Sequence, residues 1–235
     1  MHLHSPLDRR AHARAYLLES ADVKRSAADN CMDAILAAAR ILSRVFRSGG
    51  KLLLCGNGGS AADCQHMATE LVSRLTKDLE RAALPAMALT TDTSFLTAFA
   101  NDSGFDGVFE RQVQAHGRPG DVLIGISTSG NSPNVLRAVA AARGQRMHTI
   151  ALTGVGGGRL AALAETVIAV PSADTQHIQE THLAIEHLLC YLVERDLFPQ
   201  PDPSRSGTAS EPDLATPALG APRPPASGSQ REAGA

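Results

Sequence analysis

The chain has 235 residues, with 22 Lys and Arg against 24 Asp and Glu and a formal charge of -2, so it carries no basic footprint of the kind that binding a phosphate backbone requires. Nucleic acid is therefore not an expected partner. No apolar stretch approaches membrane-spanning length and the N-terminal MHLHSPLDRRAHARAYLLES has no apolar leader core, so no membrane partner and no export are expected either. Cys31, Cys55, Cys64 and Cys190 are scattered and form no CxxC pair, which argues against a disulfide framework or a cysteine zinc site and for a reducing, cytoplasmic setting.

In chain order, a weakly helical stretch starts near Asp8, and Asn30 to Phe46 then places Ile35, Ala38, Leu42, Val45 and Phe46 at helical spacing, so residues 1–50 read as two helices packed on a sheet formed by the rest of the chain. KLLLCG, AMALTT, DVLIGIS, HTIALTG and TVIAVP are short apolar runs without polar alternation, the signature of parallel strands buried on both faces. Helical patterns separate them near Ala61 to Arg74, Thr93 to Ala100, Asp106 to His116, Asn134 to Arg143 and Gly158 to Ala164, and a last helix is expected at about Thr175 to Asp196. This βαβ order predicts an α/β fold, a three-layer sandwich around a five-stranded parallel sheet, over residues 51–198. Residues 199–235 are rich in Pro, Ala, Ser and Gly and poor in large apolar side chains, and are expected to form a disordered tail.

Two loops carry chemistry. The first strand ends in Cys55-Gly-Asn-Gly-Gly-Ser60, whose glycines allow a tight turn into a helix with free N–H groups at its start. The same run reads as a dinucleotide fingerprint, as an anion site, or as a turn with no ligand. The third strand ends in Ser127-Thr-Ser-Gly-Asn-Ser132, with Pro133 at the first helical position. Four hydroxyls at one helix start suit a phosphate monoester, whereas a plain N-cap needs only one.

Over roughly Lys51 to Phe198, CGNGGSAADCQHMATEL, TAFANDSGF, GDVLIGISTSGNSPNV, IALTGVGGG and HIQETHLAIEHLL together resemble the sugar isomerase (SIS) domain family and, within it, the phosphoheptose isomerases. The resemblance implies a flavodoxin-like sheet, interconversion of sedoheptulose 7-phosphate and D-glycero-D-manno-heptose 7-phosphate at the start of activated-heptose synthesis, and a homotetramer with active sites at subunit interfaces.

His66 and Glu70 are an i,i+4 pair about 40° apart on one helix face, and Gln179 and His187 lie within about 80° of one another on the last helix, so two polar stripes are available to meet. By the resemblance, His66, Glu70, Gln179 and His187 hold one divalent metal per subunit, commonly zinc, or touch substrate, with Glu70 and His187 as the acid/base pair. The same match assigns substrate contacts to Asn57, Gly58, Gly59, Ser60, Glu70, Asn101, Asp102, Ser127, Thr128, Ser129, Ser132 and Gln179. Ser60 and Asp102 also read as helix caps, and His177 and His182 fall off the stripe and read as surface or interface side chains. Gln176 stands where relatives often carry an acid, three positions before Gln179. Two other classes fit the loops: a non-catalytic SIS-fold regulator of replication initiation that binds protein, and another phosphosugar isomerase or sensor.

Overall fold

The structure, a computed structural model, describes residues 8–199; the tail expected from residue 199 lies outside them beyond its first residue. Among the described residues, seven α-helices and five strands run in the order α1 (Arg9–Asn30), α2 (Met32–Arg47), β1 (Leu52–Gly56), α3 (Gly59–Val72), β2 (Ala86–Ala88), α4 (Thr93–Ser103), α5 (Val108–His116), β3 (Val122–Ser127), α6 (Pro133–Gly144), β4 (His148–Thr153), β5 (Thr166–Ala169) and α7 (Thr175–Leu197). Short 3-10 turns at Phe105–Gly107 and Gly158–Ala162 complete the set. The second of these replaces the helix expected over Gly158 to Ala164, because three successive glycines at positive φ precede and open it.

All strands are parallel in the order β2-β1-β3-β4-β5. Alternate side chains separate onto two faces. Leu52, Leu54, Ile124, Ile150 and Ile168 join α2, α3 and α7 in one apolar cluster, while Leu53, Cys55, Leu123 and Ala151 join α5 and α6 in the other. Each large aliphatic side chain withdrawn from water contributes roughly 1.5–3 kcal/mol, so the central strands β1 and β3, buried at every position, anchor the domain. The edges depart from the expected two-sided burial. β2 has only three residues and Met87 on it stays 44% exposed, and β5 is half-buried at three of its four positions, because an edge strand has a neighbour on one side only.

The N-terminal helices divide the work unequally. α2 buries Ile35, Ala38, Leu42, Val45 and Phe46 against the sheet. α1 starts on Asp8, whose carboxylate accepts from the N–H groups of Arg10 and Ala11, and it buries only Ser20 and Ala27 while Tyr16, Leu17 and Leu18 remain exposed. All four cysteines are free and buried; burial pushes the Cys55 thiol up to about 12.

His177 and His182 are not surface residues. They are 5% and 0% exposed, because α7 is covered by α1, α2 and α3 together and a wheel drawn for one polar stripe does not see the other coverings. His177 lies against the Tyr16 ring at 4.6 Å between centroids. His182 donates from Nε2 to the Thr153 carbonyl at 3.0 Å, and burial lowers its pKa from 6.5 to about 4. Its folded pKa lies below its unfolded one, so the stability tied to this neutral ring is complete above pH 6.5 and is lost as pH falls towards 4. A His182→Gln protein, which keeps an N–H donor for Thr153, is expected to lose less stability than the natural chain between pH 6.5 and 4, measured as the shift in urea midpoint.

Candidate active site

Strand order 2-1-3-4-5 reverses direction between β1 and β3, and open α/β sheets bind ligands in the crevice that this reversal leaves beyond the strand ends. Both signature loops flank that crevice. Asn57 after β1 and Asn134 in α6 exchange amide hydrogen bonds, each 2.9 Å, which ties the two loops together. Gly58 takes φ +56 at the N-cap of α3. A side chain at Gly59 would collide with the carboxamide of Gln179, 2.7 Å from the added Cβ, so this glycine is what admits Gln179 to the loop. Ser60 is buried in the first turn of α3 and is not its cap.

In the serine loop, Ser132 occupies the N-cap of α6 without making a side-chain capping bond. Its hydroxyl turns instead to Ser127 Oγ at 2.9 Å, and Ser129 Oγ lies 3.4 Å from the same oxygen. The hydroxyls thus gather at a helix start, which favours an anion; Pro133 brings no N–H there and the Val135 N–H is taken by Asn134 Oδ1 at 3.0 Å, so the hydroxyls supply most of the donors. Thr128 and Ser129 line a cavity of about 210 Å³ with Val155, Ser172, Ala173, Thr175 and Ile178. A larger hollow of about 340 Å³, bounded by Arg143, Met147 and Glu165, opens where β4 and β5 begin, at the end of the strands opposite the signature loops.

His66, Glu70 and His187 converge where α3 meets α7. Their ligand-capable atoms lie within 4.8 Å of one another; His66 Nε2 is 2.7 Å from His187 Nε2 and 3.5 Å from Glu70 Oε1. Two imidazoles and a carboxylate at such separations fit a borderline divalent cation, for which metal–nitrogen bonds near 2.0–2.1 Å would replace the nitrogen–nitrogen contact. Gln179 rests on Gly59, two helical turns towards the N-terminal end of α7 from His187.

The meeting of α3 and α7 is fixed by Arg81. Its side chain is 0% exposed and pairs with Glu194 on α7 at 2.7 Å, while its other nitrogens donate to the Glu70 and Leu71 carbonyls at the end of α3. Beneath the trio lie two carboxyls that the sequence motifs do not mark. Glu186 is fully buried, with both oxygens lacking a hydrogen-bond partner; burial, with Asp63 nearby, pushes it up to about 9. Asp63 rises to about 6, also through burial, with His66 opposing the shift. Asp63 stands three residues before His66 on α3, the one signal that could have flagged it.

Asn101 and Asp102 sit at the exposed end of α4, a helix without a buried residue, with Asn101 Nδ2 donating to Asp102 Oδ1 at 2.8 Å. Asp102 caps no helix; Asp92 caps α4. Gln176 is exposed beside Asp174, the N-cap of α7, and turning its amide by 180° lets the nitrogen donate to Asp174 Oδ1 at 2.8 Å.

The SIS domain pattern matches residues 15–154, and the phosphoheptose isomerase of Rhodospirillum rubrum is 55% identical over 181 residues, 77% of this chain and 95% of that protein. The chain belongs to the SIS domain family, among the phosphoheptose isomerases. The Roseiflexus phosphoheptose isomerase is 54% identical over 76% of this chain and 90% of its own. The solved phosphoheptose isomerase of Neisseria gonorrhoeae superposes with a TM-score of 0.74 at 45% identity, covering 79% of this chain and 98% of that one. The one from Francisella tularensis gives 0.77 at 36%, covering 80% and 100%.

Replacing Arg81 by Met strands the buried Glu194 carboxylate and is expected to cost about 3–5 kcal/mol in urea unfolding. Adding Glu194→Leu to that variant should restore much of the loss.

Proposed function

We propose that the chain isomerises sedoheptulose 7-phosphate to D-glycero-D-manno-heptose 7-phosphate through an enediol, opening activated-heptose synthesis in the cytoplasm. One observation carries the chemistry: a carboxylate and two imidazoles, His66, Glu70 and His187, meet within 4.8 Å on the two helices that begin at the crevice holding both signature loops. The high identity to phosphoheptose isomerases along most of the chain supports the seven-carbon substrate.

In this reading Ser127, Thr128, Ser129 and Ser132 bind the phosphate, and Asn57, Gly58, Gly59, Ser60, Asn101, Asp102 and Gln179 bind the sugar. Aldose–ketose exchange needs a proton removed from the carbon beside the carbonyl and returned to its neighbour, with protons moving between the two oxygens. Glu70, 19% exposed, is the base at carbon, and His187 exchanges the oxygen-bound proton. Until an ion takes its place, the contact between His66 and His187 orients the His187 ring, since one of the two nitrogens must donate and the other accept. One divalent ion, zinc by the donor set, would be held by His66, Glu70 and His187, with Gln179 joining them only by turning from its place on Gly59, and when bound it would supply Lewis-acid polarisation of the sugar oxygens.

The oligomer in this proposal is a homotetramer. Tyr16, Leu17, Leu18, Met32 and Leu36 on the N-terminal helices are each at least 36% exposed, an apolar surface that a second copy would cover. The same partner would cover α4 and bring Asn101 and Asp102 into an interfacial site. Among the described residues no helix is long and apolar enough to cross a membrane.

Purified protein with defined metal content, incubated with sedoheptulose 7-phosphate, fructose 6-phosphate and ribulose 5-phosphate, should convert only the seven-carbon sugar, as read by NMR. No conversion with or without zinc removes the assignment. Glu70→Gln is expected to lower kcat by about 10²-fold or more, the scale of a general base, with a normal circular-dichroism spectrum. Light scattering should give four times the chain mass.

A further inference from the structure

We propose that the 154–160 segment holds the phosphate loop in its binding conformation by occupying the loop's oxygen acceptors, with Gly158 as the positioning residue. The inference rests on the assignment of Ser127–Ser132 to phosphate. A loop that binds an anion has to present its donors and turn its carbonyl oxygens away. Here the turning away is done by a neighbouring stretch of chain. Gly154 N–H donates to the Thr128 carbonyl at 2.9 Å and Leu160 N–H to the Gly130 carbonyl at 3.0 Å. Arg159 N–H donates to Asn131 Oδ1 at 3.1 Å, and the same side chain returns a bond from Nδ2 to the Ser129 carbonyl at 2.8 Å. The 154–160 segment thereby engages three acceptors of the serine loop, and the loop's own Asn131 engages a fourth, leaving the Ser127, Ser129 and Ser132 hydroxyls grouped together.

The closeness of the two segments depends on glycine at both. A Cβ on Gly130 would overlap the carbonyl of Gly157, and one on Gly158, where φ is +55, would overlap the Ser129 carbonyl oxygen and lie 2.8 Å from the Gly130 carbonyl. Both obstacles are backbone, which cannot swing aside as a side chain end can. Gly156 provides the contrast. Its φ is +77, yet nothing lies within 4 Å of an added Cβ, so a substitution there carries the cost of a left-handed backbone without pushing on the serine loop.

The test compares Gly158→Ala with Gly156→Ala in the full chain, each first checked for fold by circular dichroism. Inorganic phosphate affinity is measured by calorimetric titration, and KM and kcat are measured with sedoheptulose 7-phosphate. Gly158→Ala is expected to weaken phosphate binding and raise KM by about tenfold or more, the scale of an ångström-level misplacement, with kcat within about threefold. Gly156→Ala should lower the melting temperature yet leave phosphate affinity and KM within about twofold. If Gly158→Ala does not fold, Asn131→Ala removes the acceptor of Arg159 N–H and the donor to the Ser129 carbonyl at an exposed position, and should weaken phosphate several-fold. Equal phosphate affinity and KM in the folded loop variants and the natural chain overturn the inference, as does an equal loss in Gly156→Ala or the absence of phosphate binding by the natural chain. Phosphate binding without turnover of the heptulose phosphate would instead remove the proposed reaction, while the titration still decides the role of Gly158.

Discussion

The buried contact between Arg81 and Glu194 sets the geometry on which the rest of the site depends. A guanidinium with no solvent exposure takes a carboxylate on α7 and the last carbonyls of α3, so it closes the C-terminal end of one helix against the side of another. Two charges withdrawn from water are tolerated only where such additional bonds satisfy them. The pairing fixes how far α3 can slide along α7, and one helical turn of slip would move His66 about 5 Å from His187.

The same interface tolerates a second, less favourable feature. Glu186 is buried without a partner for either oxygen and is held neutral by its surroundings, directly before His187 in the chain and near Asp63. An uncharged carboxylic acid in this place avoids the penalty of a buried ion. It also leaves Glu70 as the carboxylate nearest the two imidazoles. At the other end of the two helices, Gln179 against Gly59 and the amide exchange between Asn57 and Asn134 join the catalytic interface to the signature loops. The site is therefore continuous from the serine loop to the histidine pair.

Much of this architecture was legible along the chain. The five apolar runs specified five strands, and the parallel sheet followed from their lack of alternation and the helices between them. Boundaries erred where burial is one-sided, as at β2, or where glycines override helical spacing, as at Gly158. His177 and His182 depart from the surface position that spacing predicts for a related reason. Spacing tells which residues share a face, but His177 and His182 are buried by α1 and by the sheet, and no periodicity within α7 records what covers its other faces.

The sequence by itself determined the fold class, the two loops and the residue types able to do isomerase chemistry, because these follow from local periodicity, from glycine at turns and from hydroxyls at a helix start. Only the tertiary structure decided that His66, Glu70 and His187 share one space, that a buried Glu186 and a half-buried Asp63 lie beside them, and that residues 154–160 back the serine loop. Those facts depend on contacts between segments up to 121 residues apart, and separation of that kind is set by helix packing and strand order, which no local pattern encodes.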